Sequence, residues 1–165
     1  MVNDKGELIV KIYRDNGENS LDTIMQTQKN LGVNYPKSYI DLMLKHDALR
    51  LENDVFDFIN IYGKEDERDI CFLSFKENHI NGSILSEQEN ISDLDNYGIK
   101  DLIIFGSCAN GDYICFDYRE NPNSSEPKIV LVYHDDFIDC DDGTSTMVVN
   151  HVAERFDDFL NMLHE

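Results

Sequence analysis

Apolar residues recur at helical spacing between residues 20 and 46, and at strand spacing on either side of that segment. The stretch "ELIVKIY", residues 7 to 13, predicts an opening strand with Leu8 on its apolar face. Ser20 is placed to cap a helix that Gly32 would end, and Pro36, whose φ is fixed, suits the first position of a second helix. The two helices are expected to form a hairpin. Their inward-facing residues would be Leu21, Ile24, Met25 and Leu31, and then Tyr39, Ile40, Met43 and Leu44.

Beyond residue 53 the pattern changes to β-branched and aromatic runs. Residues 54–62 and 69–75 predict two antiparallel strands separated by the charged loop "GKEDER". A short helix is expected within residues 83–98, and three strands then follow in "DLIIFG", "DYICFDY" and "KIVLVYH". The chain ends with apolar residues at helical spacing, namely Val152, Phe156, Phe159, Leu160 and Leu163. The prediction is an α+β fold: a mainly antiparallel sheet of five to six strands, an N-terminal helical hairpin, and a C-terminal helix packed on the sheet.

Length and net charge limit the number of domains and the kinds of partner that the protein can bind. A length of 165 residues suits one domain, residues 1–165, built on one core. The 33 acidic and 14 basic side chains give a net charge of −19, which would repel nucleic acid and anionic membrane alike and attract a basic partner. We find neither a secretory leader nor an apolar run long enough to cross a bilayer, so a cytoplasmic location is expected.

The sequence offers little support for an enzyme or a metal protein. The cysteines lack metal-ligand or redox spacing, and Cys71 and Cys115 lie in strand-like runs where burial is expected. In "GSCANGDY" the two glycines are five apart, but Asp112 follows where a phosphate loop needs lysine, so both glycines are interpreted as turning the chain. Cys108 with one of five histidines remains a catalytic alternative, although none of the histidines is near it in sequence. No cofactor, metal or disulfide is expected.

Acidic residues crowd into "HDDFIDCDDG", residues 134–143. The segment does not fit a calcium-binding EF-hand loop, because aligning Gly143 to the loop glycine puts Ile138, Cys140 and Val149 at ligand positions. It would be either a solvated loop or a surface for a cationic partner. The charged loop "GKEDER" offers a second acidic surface of the same kind. The candidate partner-binding residues are Asp135, Asp136, Asp139, Asp141, Asp142, Glu65, Asp66 and Glu67.

Three segments, in order, resemble the SUKH superfamily of Smi/Knr-like proteins. They are "SLDTIMQTQKNLGVNYPKSYIDLMLKHDAL", "KDLIIFGSCANGDYICFDYR" and "VAERFDDFLNML". The family often has Asn-Gly after its second helix, whereas this chain has "HDALRL". The resemblance implies a non-enzymatic immunity protein that binds and blocks a cognate polymorphic toxin, such as a nuclease with a basic active-site surface. It leaves a regulatory scaffold of the Smi/Knr type as the alternative, and a small thiol- or carboxylate-dependent enzyme as a third.

Overall fold

The two N-terminal helices form where their end signals place them. In the computed structural model, which describes residues 4–5, 9–80 and 82–165, α1 spans Leu21–Leu31 and α2 spans Lys37–Lys45. The Ser20 hydroxyl accepts a hydrogen bond from the Thr23 N–H, and Gly32 closes α1 with a left-handed φ of 70°. Pro36 is the residue before α2 and not its first helical residue.

The sequence predicted that Leu21 faces the core, but its side chain is 52% exposed. Helical side chains lean towards the N-terminus, so a residue in the first position extends past the end of the helix. Ile24 makes the buried contact of α1 instead.

The largest sheet has five antiparallel strands in the order β5-β6-β7-β8-β9. The strands are β5 (Cys71–Phe72), β6 (Leu102–Ser107), β7 (Tyr113–Asp117), β8 (Lys128–Asp139) and β9 (Ser145–Ala153). Three of them confirm the predictions for "DLIIFG", "DYICFDY" and "KIVLVYH", whereas β9 was missed. Val152 lies in β9, so the closing helix α4 is shorter than predicted and spans Phe156–Met162.

The prediction for residues 54–75 is wrong in its pairing. Strand β3 (Val55–Ile59) pairs with β4 (Glu65–Asp69), so most of the predicted charged loop is itself a strand. Of the predicted strand at residues 69–75, Asp69 is the last residue of β4, and Cys71–Phe72 form β5, which pairs with β6. A run of charged residues has no apolar alternation to indicate a strand. The Asn60 side chain accepts the N–H groups of Tyr62 and Lys64 and so turns the chain back on β3.

Two strands and one helix complete the described part of the chain. Strand β1 (Ile12–Arg14) pairs with β2 (Arg50–Leu51), which places the opening strand later than predicted, and Leu8 lies outside the described residues. The short helix expected within residues 83–98 is confirmed as α3 (Ile84–Ser92). The sequence "HDALRL" forms its turn with Ala48 at a left-handed φ of 48°.

Only one of the two glycines in "GSCANGDY" turns the chain. Gly111, with φ of 99°, ends a short turn between β6 and β7, and its N–H donates a hydrogen bond to the Cys108 carbonyl. Gly106 lies inside β6 beside a register shift, and a Cβ there would come within 3.0 Å of Ile70. Its prediction as a turn residue is therefore wrong, and its role is to let two segments approach closely.

An aromatic cluster joins the helices to the sheet. Phe105 and Phe116 stack with ring centroids 4.3 Å apart, and Tyr39 from α2 and Phe156 from α4 pack edge-on against Phe105. The α+β prediction, with an N-terminal helical pair and a C-terminal helix on an antiparallel sheet, is confirmed. Cys71 and Cys115 are buried in strands, also as predicted. Within the described residues, no helix has the length and apolarity needed to cross a membrane.

Candidate interaction surface

The acidic segment after "KIVLVYH" is mainly strand. Strand β8 pairs Val132 with Val149 and then Phe137 with Met147, so the four residues 133–136 lie opposite the single residue Val148. Such a bulge bends a strand and redirects its side chains. The turn proper begins only at Cys140, whose N–H donates to the Thr144 carbonyl. The bulge therefore sets the directions of Tyr133, His134, Asp135 and Asp136.

Asp112 anchors the bulge from beneath. Its side chain is almost fully buried and lies 2.6 Å from the His134 ring Nδ1, and it accepts the His134 backbone N–H at 3.0 Å. Arg68 Nε donates to the same carboxylate at 2.7 Å, and Asn110 donates at 3.0 Å. Burial alone would raise the pKa of Asp112, but these bonds outweigh it and hold the pKa below its usual value. The buried charge is thus paired and satisfied.

Arg68 connects β4 to the bulge. Its guanidinium donates to Asp66 Oδ1 as well as to Asp112, and it lies 5.3 Å from the centre of the Tyr133 ring. The Tyr133 hydroxyl donates to Asp66 Oδ2 at 2.8 Å. Of the predicted site residues, Asp66 is therefore engaged within the protein. Sequence reasoning missed Arg68, although it is the only basic residue within β4.

The tip of the β3–β4 hairpin rests on the bulge. The Tyr62 hydroxyl donates to Asp136 Oδ2 at 2.7 Å, and the Ile61 N–H donates to the Asn150 side chain in β9 at 2.9 Å. The structure thus brings together the two acidic segments that the sequence predicted separately, because Asp66 contacts Tyr133 and Asp136 contacts Tyr62.

Apolar side chains are exposed where the two segments meet. Five of the ten large hydrophobic residues that are exposed in the described chain lie in these two segments, each between 44% and 57% exposed. Phe137 and Ile138 are consecutive ladder residues of β8, so their side chains project to opposite faces. Ile138, and not Phe137, is on the side of Asp136, which binds Tyr62. Clustered exposed apolar groups are typical of interaction sites. We call the following set the junction surface: Ile61, Tyr62, Asp136 and Ile138.

Carboxylates line the outer face of the β3–β4 hairpin beside the junction surface. Asp57 lies directly opposite Glu67, and Ile59 lies opposite Glu65. Like charges in directly opposed positions oppose strand pairing. His164 Nε2 lies 3.0 Å from Asp57, and the Glu165 carbonyl together with Asp57 raises the pKa of His164. The predicted residues Glu65 and Glu67 belong to this face and are exposed.

The remaining predicted aspartates lie at the far end of the β8–β9 hairpin. Asp139 accepts the Ser145 hydroxyl at 2.8 Å. Asp142 accepts both the N–H and the hydroxyl of Thr144, and these bonds lower its pKa. Asp141 is exposed in the same turn. Asp139 and Asp142 stabilise the turn through these bonds, and all three residues are separate from the contacts between the hairpins.

The geometry disfavours metal and thiol chemistry at this surface. One potential ligand atom from each of Asp112, His134 and Asp135 lies within 4.8 Å of the others, but Asp112 is already bonded to the cationic Arg68. A divalent cation bound there would be close to that guanidinium. Cys108 is only 6% exposed, and burial, together with the charges of Asp112 and Asp69, raises its pKa well above the usual range. The reactive thiolate is therefore disfavoured.

Comparison with known families gives a match over most of the chain. The sequence profile of the SMI1 / KNR4 family (SUKH-1) matches residues 18–162, which span the structure from before α1 to the end of α4. Comparison with curated protein sequences found no match.

Proposed function

Since the chain belongs to the SMI1 / KNR4 family (SUKH-1), we propose that it is a non-enzymatic immunity protein that binds and neutralises a cognate secreted bacterial toxin in the cytoplasm. The observation that carries the proposal is the meeting of two acidic segments around exposed apolar side chains at the junction surface. Carboxylates there would attract a basic toxin surface, such as the nucleic-acid-binding face of a nuclease.

A binding role is favoured over a catalytic one by the burial and bonding of the two groups that could act chemically, Asp112 and Cys108. The Asp112 carboxylate is bonded to Arg68, His134 and Asn110, and Cys108 is buried with a raised pKa. Neither group is exposed to a substrate. A protein that acts by occlusion requires instead a stable, exposed surface, and the hydrogen bonds beneath the junction surface supply that stability.

Co-expression tests the proposal. The chain should protect cells from the toxic domain encoded beside its gene, form a stoichiometric complex with that domain, and inhibit its activity at equimolar concentration. A Cys108→Ala variant should protect equally well, because the proposed mechanism uses no thiol. If the folded protein neither binds nor inhibits that domain, the immunity role is wrong. If only the Cys108→Ala variant fails while remaining folded, a catalytic role replaces it.

A further inference from the structure

We propose that the junction surface docks a partner segment in which an apolar side chain is flanked by lysine or arginine. The inference rests on the proposed function and specifies the chemistry of the partner's contact. Its starting point is that Ile138 in β8 and Tyr62 at the hairpin tip expose apolar area on two elements that contact each other. Aromatic and aliphatic anchors of this kind contribute most of the binding free energy at protein interfaces.

The anchors are held in place before any partner arrives. The Tyr62 hydroxyl donates to Asp136, the Tyr62 N–H donates to the Asn60 side chain, and the Ile61 N–H donates to Asn150. On the opposite side of the contact, Ile138 pairs with Thr146 in the β8–β9 ladder. A surface that is already ordered loses little conformational entropy on binding.

The charges around the anchors determine which partner fits. Asp135 and Asp136 precede Phe137, while Asp57, Glu65 and Glu67 line the adjoining hairpin face. Segment 57–67 contains Lys64 as its only basic residue, and segment 134–143 contains no lysine or arginine. His164 Nε2 already lies 3.0 Å from Asp57, so a partner's cation on this face would lie beside Glu65 and Glu67. A second copy of this chain is disfavoured as the occupant, because each copy carries a net charge of −19.

The carboxylates and the apolar side chains of the surface should affect different steps of binding. The carboxylates should steer a cationic segment and raise its association rate, with a strong dependence on salt. The apolar anchors should slow dissociation, since they gain contacts only after docking. A partner with cations alone would therefore bind weakly, and a partner with the apolar side chain as well would bind much more tightly.

Two peptides of equal charge test the inference on the whole chain without any toxin. The probes are capped Lys-Lys-Phe-Lys-Lys and capped Lys-Lys-Ser-Lys-Lys, titrated into the ¹⁵N-labelled protein and followed by amide chemical shifts. The phenylalanine peptide should bind about tenfold more tightly than the serine peptide and should shift the resonances of residues 59–62 and 135–138 most. Equal affinities, or shifts concentrated elsewhere, would overturn the inference.

Matched variants locate the anchors. Ile138→Ser should abolish the preference for the phenylalanine peptide. Phe137→Ser, on the other face of β8, and Leu94→Ser, at a residue that is 89% exposed elsewhere, should preserve it. Amide dispersion checks that each variant folds, and Tyr62→Ser serves as a second variant at the same surface. If the preference survives in folded forms of both junction variants, the anchors are misassigned.

The peptide and toxin experiments fail independently of each other. A junction surface that discriminates the peptides, in a protein that does not inhibit the toxin, keeps the docking surface and removes the immunity role. If instead toxin inhibition is unaffected by the junction variants and the peptides bind equally, the immunity role stands and this surface is not its interface.

Discussion

Asp112 is the residue on which the candidate surface depends, because its buried carboxylate ties β4 to the β8 bulge through Arg68 and His134. Asp112→Asn keeps the side-chain volume but removes the charge that Arg68 requires. At neutral pH this change should lower the free energy of unfolding by about 3 kcal/mol, the cost of breaking a buried ion pair. Glu65→Gln, on the exposed face of the same hairpin, is the matched control and should be nearly neutral.

The stability difference between wild type and Asp112→Asn should depend on pH. The folded-state pKa of Asp112 is lowered, so its contribution is fully present above the unfolded-state pKa of about 3.9 and is lost as pH falls through the still lower folded-state value. Urea unfolding should therefore show a constant difference from neutral pH down to about pH 5, and a shrinking one below about pH 4. A difference that grows on acidification would contradict the lowered pKa.

Gly106 gives a prediction about packing that does not depend on charge. A Cβ at this position would lie 3.0 Å from Ile70 and 3.2 Å from the Cys71 carbonyl oxygen, and the backbone oxygen has little freedom to move. Gly106→Ala should reduce the free energy of unfolding by about 1–3 kcal/mol through overpacking. Pairing it with Ile70→Val should recover part of the loss if the crowding is the cause, and thermal or urea unfolding measures both. No recovery would place the strain at the carbonyl.

At the scale of elements, the sequence predicted the strands with apolar character and missed those defined by tertiary contacts. Strand β6 reads as "LIIFGS", and its burial on both faces is visible in the composition. Strand β4 reads "EDERD", and it exists because Phe56 and Phe58 of its partner are buried while Arg68 and Asp66 bond to Asp112 and Tyr133. Those contacts are distant in sequence, so local pattern cannot reveal them.

The candidate site was predictable in composition but not in geometry. Both acidic segments were identified from charge density, yet only the bulge in β8 brings Asp136 to Tyr62 and Tyr133 to Asp66. A bulge of this kind leaves no simple periodic signal, because it interrupts the alternation on which strand prediction relies. The exposed Ile138 was accordingly taken as part of an acidic segment and not as a surface anchor.

Helix α3 is attached to β6 through the side chain of Gln88, in addition to the bond from Tyr113 in β7 to Glu87, which gives a prediction at this scale. The Gln88 amide donates to the Leu102 carbonyl at 2.9 Å and accepts the Ile104 N–H at 2.8 Å, in a buried setting. Gln88→Ala would leave both β6 groups without that partner and should lower the free energy of unfolding by about 2–4 kcal/mol. Gln26→Ala, which removes an exposed bond to Asn30 within α1, should cost under about 0.5 kcal/mol. Equal costs for the two variants would show that α3 is held by apolar packing.

At the scale of the whole molecule, the net charge favours solubility but opposes the compact folded state. A net charge of −19 favours solubility and attracts cations, but it also repels itself in the compact state. Buried carboxylates in the interior have partners that stabilise their charge. Asp112 is paired with Arg68. Asp47 accepts hydrogen bonds from Asn19, Ser74 and Phe75. The exposed aspartates of the β8–β9 hairpin contribute little of this internal pairing, so their charge is available to a partner.

Replacing Asp135, Asp136, Asp139, Asp141 and Asp142 together by Asn separates the two effects of that charge. Asn conserves size and keeps a side-chain carbonyl oxygen for the hydrogen bonds from Tyr62, Ser145 and Thr144. Melting temperature should therefore stay level or rise as repulsion falls. Association with the cognate toxin should slow by about tenfold at low salt and become less sensitive to salt, with a smaller effect on dissociation. Stopped-flow mixing over a range of ionic strength measures both. An unchanged association rate and salt slope would mean that the hairpin charge does not steer the toxin, and would move the search for the steering charge to Asp57, Glu65 and Glu67.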